Sequence, residues 1–79
     1  MMQTIRQAVL AAFQKRFGEQ MQTTDRLEAM GVNSMNFIQL MVSLEDTLGV
    51  ALEDAQLNVK RYETLEDVIA YIESLGRPE

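Results

Sequence analysis

Apolar residues recur at helical spacing in three stretches of the chain. From Thr4 onward, Ile5, Val9, Leu10, Ala12, Phe13 and Phe17 fall within one arc at about 100° per residue, predicting an amphipathic helix over residues 4–17. Thr4 and Gln7 make a capping box at its start, and Gly18 supplies a stop. A second helix is expected to begin at Asn33 or Ser34, both good capping types, and to end at Gly49. In a third, Leu65, Val68, Ile69, Ile72 and Leu75 share one face behind a weaker Thr64–Asp67 box, and Gly76 with Pro78 closes it. Residues 18–33 show no period. Thr23, Thr24 and Asp25 favour turns there, and Leu27 with Met30 can pin this long loop to a core. Loops of that length tend to carry function. Asp54 to Tyr62 has room for one short helical turn carrying Leu57 and Val59. The predicted fold is all-α, a small bundle of three main helices plus a short one, in a single domain over residues 1–79. Phe13, Leu44, Leu48, Val68, Ile69 and Ile72 are its expected most buried side chains.

The second helix carries two apolar stripes. With Met35 set to zero, Phe37, Leu40, Met41, Leu44 and Leu48 lie between roughly 140° and 240°, a core-facing arc. Met35, Ile38 and Val42 lie between roughly 300° and 360°, flanked by Glu45 on one side and by Gln39 and Asp46 on the other. In a domain this small a helix is rarely buried nearly all round, so the second stripe is expected to face outward as a docking strip rimmed by polar groups. The plainer alternative is that the 18–33 loop covers it. Glu45 and Asp46 occupy the last turn, where the helix dipole disfavours anions, and no Lys or Arg stands three or four residues away to offset that.

Composition narrows the chemistry. A chain of 79 residues that is 47% apolar is globular, yet too small for a deep water-excluded active site. It contains no Cys and no His, which removes disulfides, thiol catalysis, a Ser-His-Asp triad and ordinary zinc sites. No metal is expected, and the acids are scattered without an evident cluster. The net charge of −5 disfavours nucleic acid and anionic membranes as partners. The first residues lack the apolar core of a signal peptide and no window approaches transmembrane length, so a cytoplasmic, monomeric protein is expected. It is not expected to be an enzyme. Such a chain works by being bound, carried or modified.

Gly31-Val32-Asn33-Ser34-Met35 puts a serine hydroxyl at the head of the second helix. At a helix N-terminus a serine is ordinarily a cap, but the same position favours a phosphate through free N–H groups and the dipole. The chain has no base to activate the hydroxyl, so another enzyme must make the attachment. Gly31-Val32-Asn33-Ser34-Met35, followed by Leu40, Leu44-Glu45-Asp46 and Leu48-Gly49-Val50, resembles the signature of acyl and peptidyl carrier proteins. The resemblance covers nearly the whole chain, through Thr64-Leu65-Glu66-Asp67 at the head of the last helix.

That resemblance implies a 4'-phosphopantetheine arm on Ser34, flanked by Asn33 and Met35, attached by a phosphopantetheinyl transferase from coenzyme A. The arm's thiol would hold cargo as a thioester, so the absence of Cys is no obstacle. Met35, Ile38, Gln39, Val42, Glu45 and Asp46 would meet partners: a loading enzyme, either adenylating or acyl-transferring, and downstream synthase or tailoring enzymes. Asn33 stands where the family usually has Asp, and Asn36 and Gln39 stand where carriers of fatty acid synthesis have acids. With Met35, this pattern is more similar to stand-alone carriers of amino acids or pyrroles in specialised metabolism, and the D-alanyl carrier of teichoic acids tends to share the Met. The competing reading is a small helical interaction module with no prosthetic group, in which Ser34 is only a cap.

Overall fold

In the computed structural model, which describes residues 4–75, helix α1 spans Ile5–Phe17, α2 spans Ser34–Leu48 and α3 spans Leu65–Leu75. The expected all-α bundle is present. Its fourth, short helix is not: residues 54–62 form two separate 3-10 turns, Asp54–Gln56 and Val59–Arg61, and a third such turn, Glu28–Met30, lies in the long loop. Leu57 and Val59 are only half-buried on them, too little apolar surface to sustain a continuous helix.

The helix ends follow from local chemistry. Thr4 and Gln7 form the reciprocal box at the start of α1, each side chain bonded to the other's backbone N–H at 3.1 Å. Asp67 accepts from the Thr64 N–H while the Thr64 hydroxyl accepts from the Asp67 N–H, the same device at α3. Gly49 adopts a left-handed φ of 69° and donates to the Glu45 carbonyl, which turns the chain off the end of α2. Gly76 and Pro78, expected to close α3, lie outside the described residues.

Val9 and Phe13 of α1 meet Phe37, Leu40, Met41 and Leu44 of α2 and Leu65, Val68, Ile69 and Ile72 of α3 in one core. Leu48, expected among the most buried, is only half-buried, because it is the last residue of α2 and lies at the core's edge. The long loop is anchored by Leu27 as expected, but Met30 is half-buried and the other anchors are Met21 and Val32. All five aromatic rings stand in a line through this core. Phe17, Phe13, Phe37, Tyr62 and Tyr71 follow one another at centroid distances of 6.0, 6.5, 5.5 and 6.3 Å.

Two clamps fix the layout outside the core. The loop is tied to the head of α3 by three backbone bonds, in which Leu27 N–H donates to the Glu63 carbonyl, Leu65 N–H to Asp25 and Glu66 N–H to Thr23. Arg26 and Thr64 form an isolated antiparallel bridge within this clasp. Helix α1 is tied to α3 by Arg6, whose guanidinium donates to both Glu66 carboxylate oxygens at 2.8 and 2.7 Å. That hydrogen bond holds the Glu66 carboxyl below its ordinary value. A carboxylate whose folded value is depressed adds stability above its unfolded value and loses it as pH falls through the folded one. Glu66→Gln is therefore expected to flatten the acid side of the stability-pH profile below about pH 4.5, with little change at pH 7 because the pair is half-exposed. Thermal melts from pH 7 to pH 3 check this.

Candidate functional site: an exposed serine and a groove at the head of the second helix

The cap of α2 is Asn33 and not Ser34. Asn33 has extended backbone angles, and its side-chain oxygen accepts from the Asn36 N–H at 2.9 Å. Asn36 returns the contact by accepting from the Asn33 N–H at 2.8 Å. This paired-asparagine box displaces Ser34 by one position, to the first residue inside the helix. Both asparagines, in the places where the family resemblance leads one to expect acids, are thus occupied in shaping the helix end. The consequence for Ser34 is chemical. Its side chain is exposed, and its hydroxyl has no hydrogen-bond partner among the described residues. The other two serines differ: Ser43 lies mid-helix and Ser74 donates to the Tyr71 carbonyl at 2.6 Å.

A groove of ≈ 590 Å³ opens beside Ser34. One wall comes from Arg26, Leu27 and Val32 of the long loop, the other from Val59, Lys60, Arg61 and Tyr62. Tyr62 forms a rigid end to it, since its ring packs on Phe37 and its hydroxyl donates to the Gln56 carbonyl at 2.9 Å. Burial pushes its phenol up to about 12, so it stays a neutral donor across the physiological range. Sequence reasoning missed this groove. Its walls come from two aperiodic segments brought together by the clasp, and a net charge of −5 conceals that three of the chain's seven cations line it.

The outward stripe of α2 is exposed as expected. Met35 is 71%, Ile38 41% and Val42 48% accessible, and the loop does not cover them. Asp46 stands exposed beside Val42, while Gln39 accepts from Arg16 of α1 at 3.1 Å. Glu45 departs from its expected part in the rim. Its carboxylate turns back and accepts from the Leu52 N–H at 2.8 Å, holding the chain after Gly49 against the helix end. The unfavourable dipole position is thereby explained without a partner. Glu45→Lys is expected to lower stability by about 1.5 kcal/mol through loss of this charge-assisted bond, whereas Asp46→Lys, which breaks no bond and puts a cation at the helix C-terminus, is expected to raise the melting temperature slightly. Urea unfolding of the two variants separates them.

These features suit a phosphate ester at Ser34. The first turn of α2 carries no acid, the hydroxyl is free of internal bonds, and a groove with cationic residues adjoins it. Among the described residues no helix is long and apolar enough to cross a membrane. No curated protein matches the chain. A family model described as "phosphopantetheine attachment site" matches residues 7–72, which takes in most of α1, the long loop, all of α2 and the buried face of α3. With the match extending over most of its length, the chain belongs to the phosphopantetheine attachment site family, non-catalytic carriers defined by a covalently attached 4'-phosphopantetheine.

Proposed function

We propose that Ser34 is the attachment point, and that residues 1–79 form one cytoplasmic carrier domain that holds an acyl or aminoacyl group and offers it to biosynthetic enzymes. The observation that supports Ser34 is its position: a free, exposed hydroxyl at the first residue of α2, relieved of capping by Asn33. In the attachment the Ser34 oxygen forms a bond to the pantetheine-bearing phosphorus of coenzyme A, the phosphoanhydride bond breaks, adenosine 3',5'-bisphosphate leaves with the bridging oxygen, and the hydroxyl proton passes to a base of the transferase. The arm, once bound, supplies a thiol on which cargo is held as a thioester. This chain's part is to fix where the arm begins. The paired asparagines orient the first turn of α2, and Phe37, one turn further on, seats that turn on the core. Incubation with coenzyme A and a phosphopantetheinyl transferase is expected to add one phosphopantetheinyl mass to the intact protein, located by fragmentation on the peptide containing Ser34. A mass located elsewhere, or none, overturns the assignment.

Met35, Ile38 and Val42 then form the face on which the transferase, an adenylating or acyl-transferring loading enzyme, and downstream synthase or tailoring enzymes dock. Gln39 and Asp46 make its polar rim. Their exposure beside the attachment point supports this reading. A central apolar residue governs dissociation, while a rim charge mainly sets association rate and its salt dependence. Val42→Asp is expected to slow arm attachment at least tenfold at any ionic strength while melting like the parent chain. Asp46→Lys should slow it several-fold at low salt only. Attachment at the parent rate by a folded Val42→Asp variant places the docking face elsewhere. The asparagines at 33 and 36, Met35 and Gln39 favour a cargo of specialised metabolism, an amino acid or pyrrole among them, over fatty acid synthesis.

A further inference from the structure

We propose that the groove beside Ser34 is a charge-selective seat for an oxyanion carried on the arm, either the phosphodiester itself or a carboxylate on the cargo. The proposal rests on Ser34 as the attachment point. Its volume of ≈ 590 Å³ falls in the range of small-molecule sites, and its lining combines the apolar Leu27, Val32 and Val59 with a majority of polar and charged residues. Leu27 and Val32 are buried and make one wall apolar, and Val59 and Tyr62 are half-buried on the other.

The charges decide what the groove selects. Arg26 is loosely paired with Glu63 at 3.8 Å. Lys60 and Arg61, adjacent in sequence and both exposed, have no carboxylate within ion-pair distance among the described residues. Glu28 is the remaining acid of the lining, so three cations face two carboxylates in a chain whose net charge is −5. The rest of the chain is net acidic, whereas here an anion meets two unpaired donors. A neutral acyl group gains only the apolar side chains of the walls, whereas a carboxylate at the same depth also gains those donors. The 3-10 turn Val59–Arg61 fixes the backbone from which both side chains start, with the Asn58 side chain accepting from the Lys60 N–H at 3.0 Å.

The test follows the backbone amide resonances of residues 59–63 in the parent protein and in Lys60→Gln/Arg61→Gln, two exposed positions whose replacement leaves the core untouched. Each protein is loaded with the bare arm from coenzyme A, a neutral cargo from butyryl-coenzyme A, or a carboxylated cargo from succinyl-coenzyme A, and intact mass verifies loading. Shifts at residues 59–63 on addition of the bare arm, lost in the double variant and weakened in high salt, identify the phosphodiester as the seated group. Further shifts with succinyl but not butyryl cargo, again lost in the double variant, identify the carboxylate. If loaded parent protein shows neither response, or the double variant shows the same shifts, the groove is not an anion seat and Ser34 keeps its role. If no mass is gained, the Ser34 assignment falls and this inference with it.

Discussion

Ser34→Ala is expected to abolish arm attachment completely while melting within about 0.5 kcal/mol of the parent chain, as a surface change away from special features does. The usual cost of losing a serine at a helix start, about 0.5–2 kcal/mol, belongs to the cap. Here Asn33 is the cap and Ser34 has no internal bond to lose, while alanine is the better helix former. The matching variant is Asn33→Ala, which removes half of the asparagine box and is expected to cost about 0.5–2 kcal/mol. It still presents the hydroxyl and should accept the arm more slowly, because the first turn frays. Intact mass and urea unfolding of the two variants read the effects separately. Loss of attachment with unchanged stability at Ser34, and lost stability with slower but complete attachment at Asn33, is the expected pattern. Attachment to Ser34→Ala would assign the arm to another hydroxyl.

Phe37→Ala should have the largest effect on stability, about 3–5 kcal/mol. Phe37 is fully buried, touches the rings of Phe13 and Tyr62, and stands at the centre of the aromatic line that joins all three helices. Small domains are marginally stable, near the low end of about 5–15 kcal/mol, so such a loss leaves a large unfolded fraction at 37 °C. Leu48→Ala, by contrast, should cost about 1 kcal/mol, since half of that side chain is already in water and the edge of the core can close over the gap. Far-UV circular dichroism melts of both variants check the ranking. Equal destabilisation would mean that the end of α2 is as tightly packed as its middle.

The helices were legible because each has a signal confined to its own residues. Thr4 and Gln7, Thr64 and Asp67, and the apolar spacings between them need no knowledge of the rest of the chain, and the outward stripe of α2 was visible from angles alone. What escaped depends on contacts between distant segments or on a choice among equals. Asn33 and Ser34 are both capping types, and only the answering Asn36 selects the first. Glu45 reads as a surface acid until Leu52 is seen to donate to it. Met21 and Val32 have no periodic neighbours to mark them as buried. Arg26 and Lys60 are remote in sequence, and nothing in either stretch announces that they share a groove.

The clasp between the long loop and the head of α3 carries a consequence for the order in which this molecule assembles. It joins residues about forty positions apart, and closing a chain segment of that length costs about 3 kcal/mol in entropy before any contact is made. The stretch leading into Ser34 therefore acquires its shape only when the last fifth of the chain has docked. During synthesis α1 and α2 emerge first, with the serine already translated but one wall of its groove still absent and the other unsupported. A transferase that reads the folded surface around Ser34 is therefore expected to act only once the final helix has docked, and chains cut short before residue 63 are expected to stay unmodified.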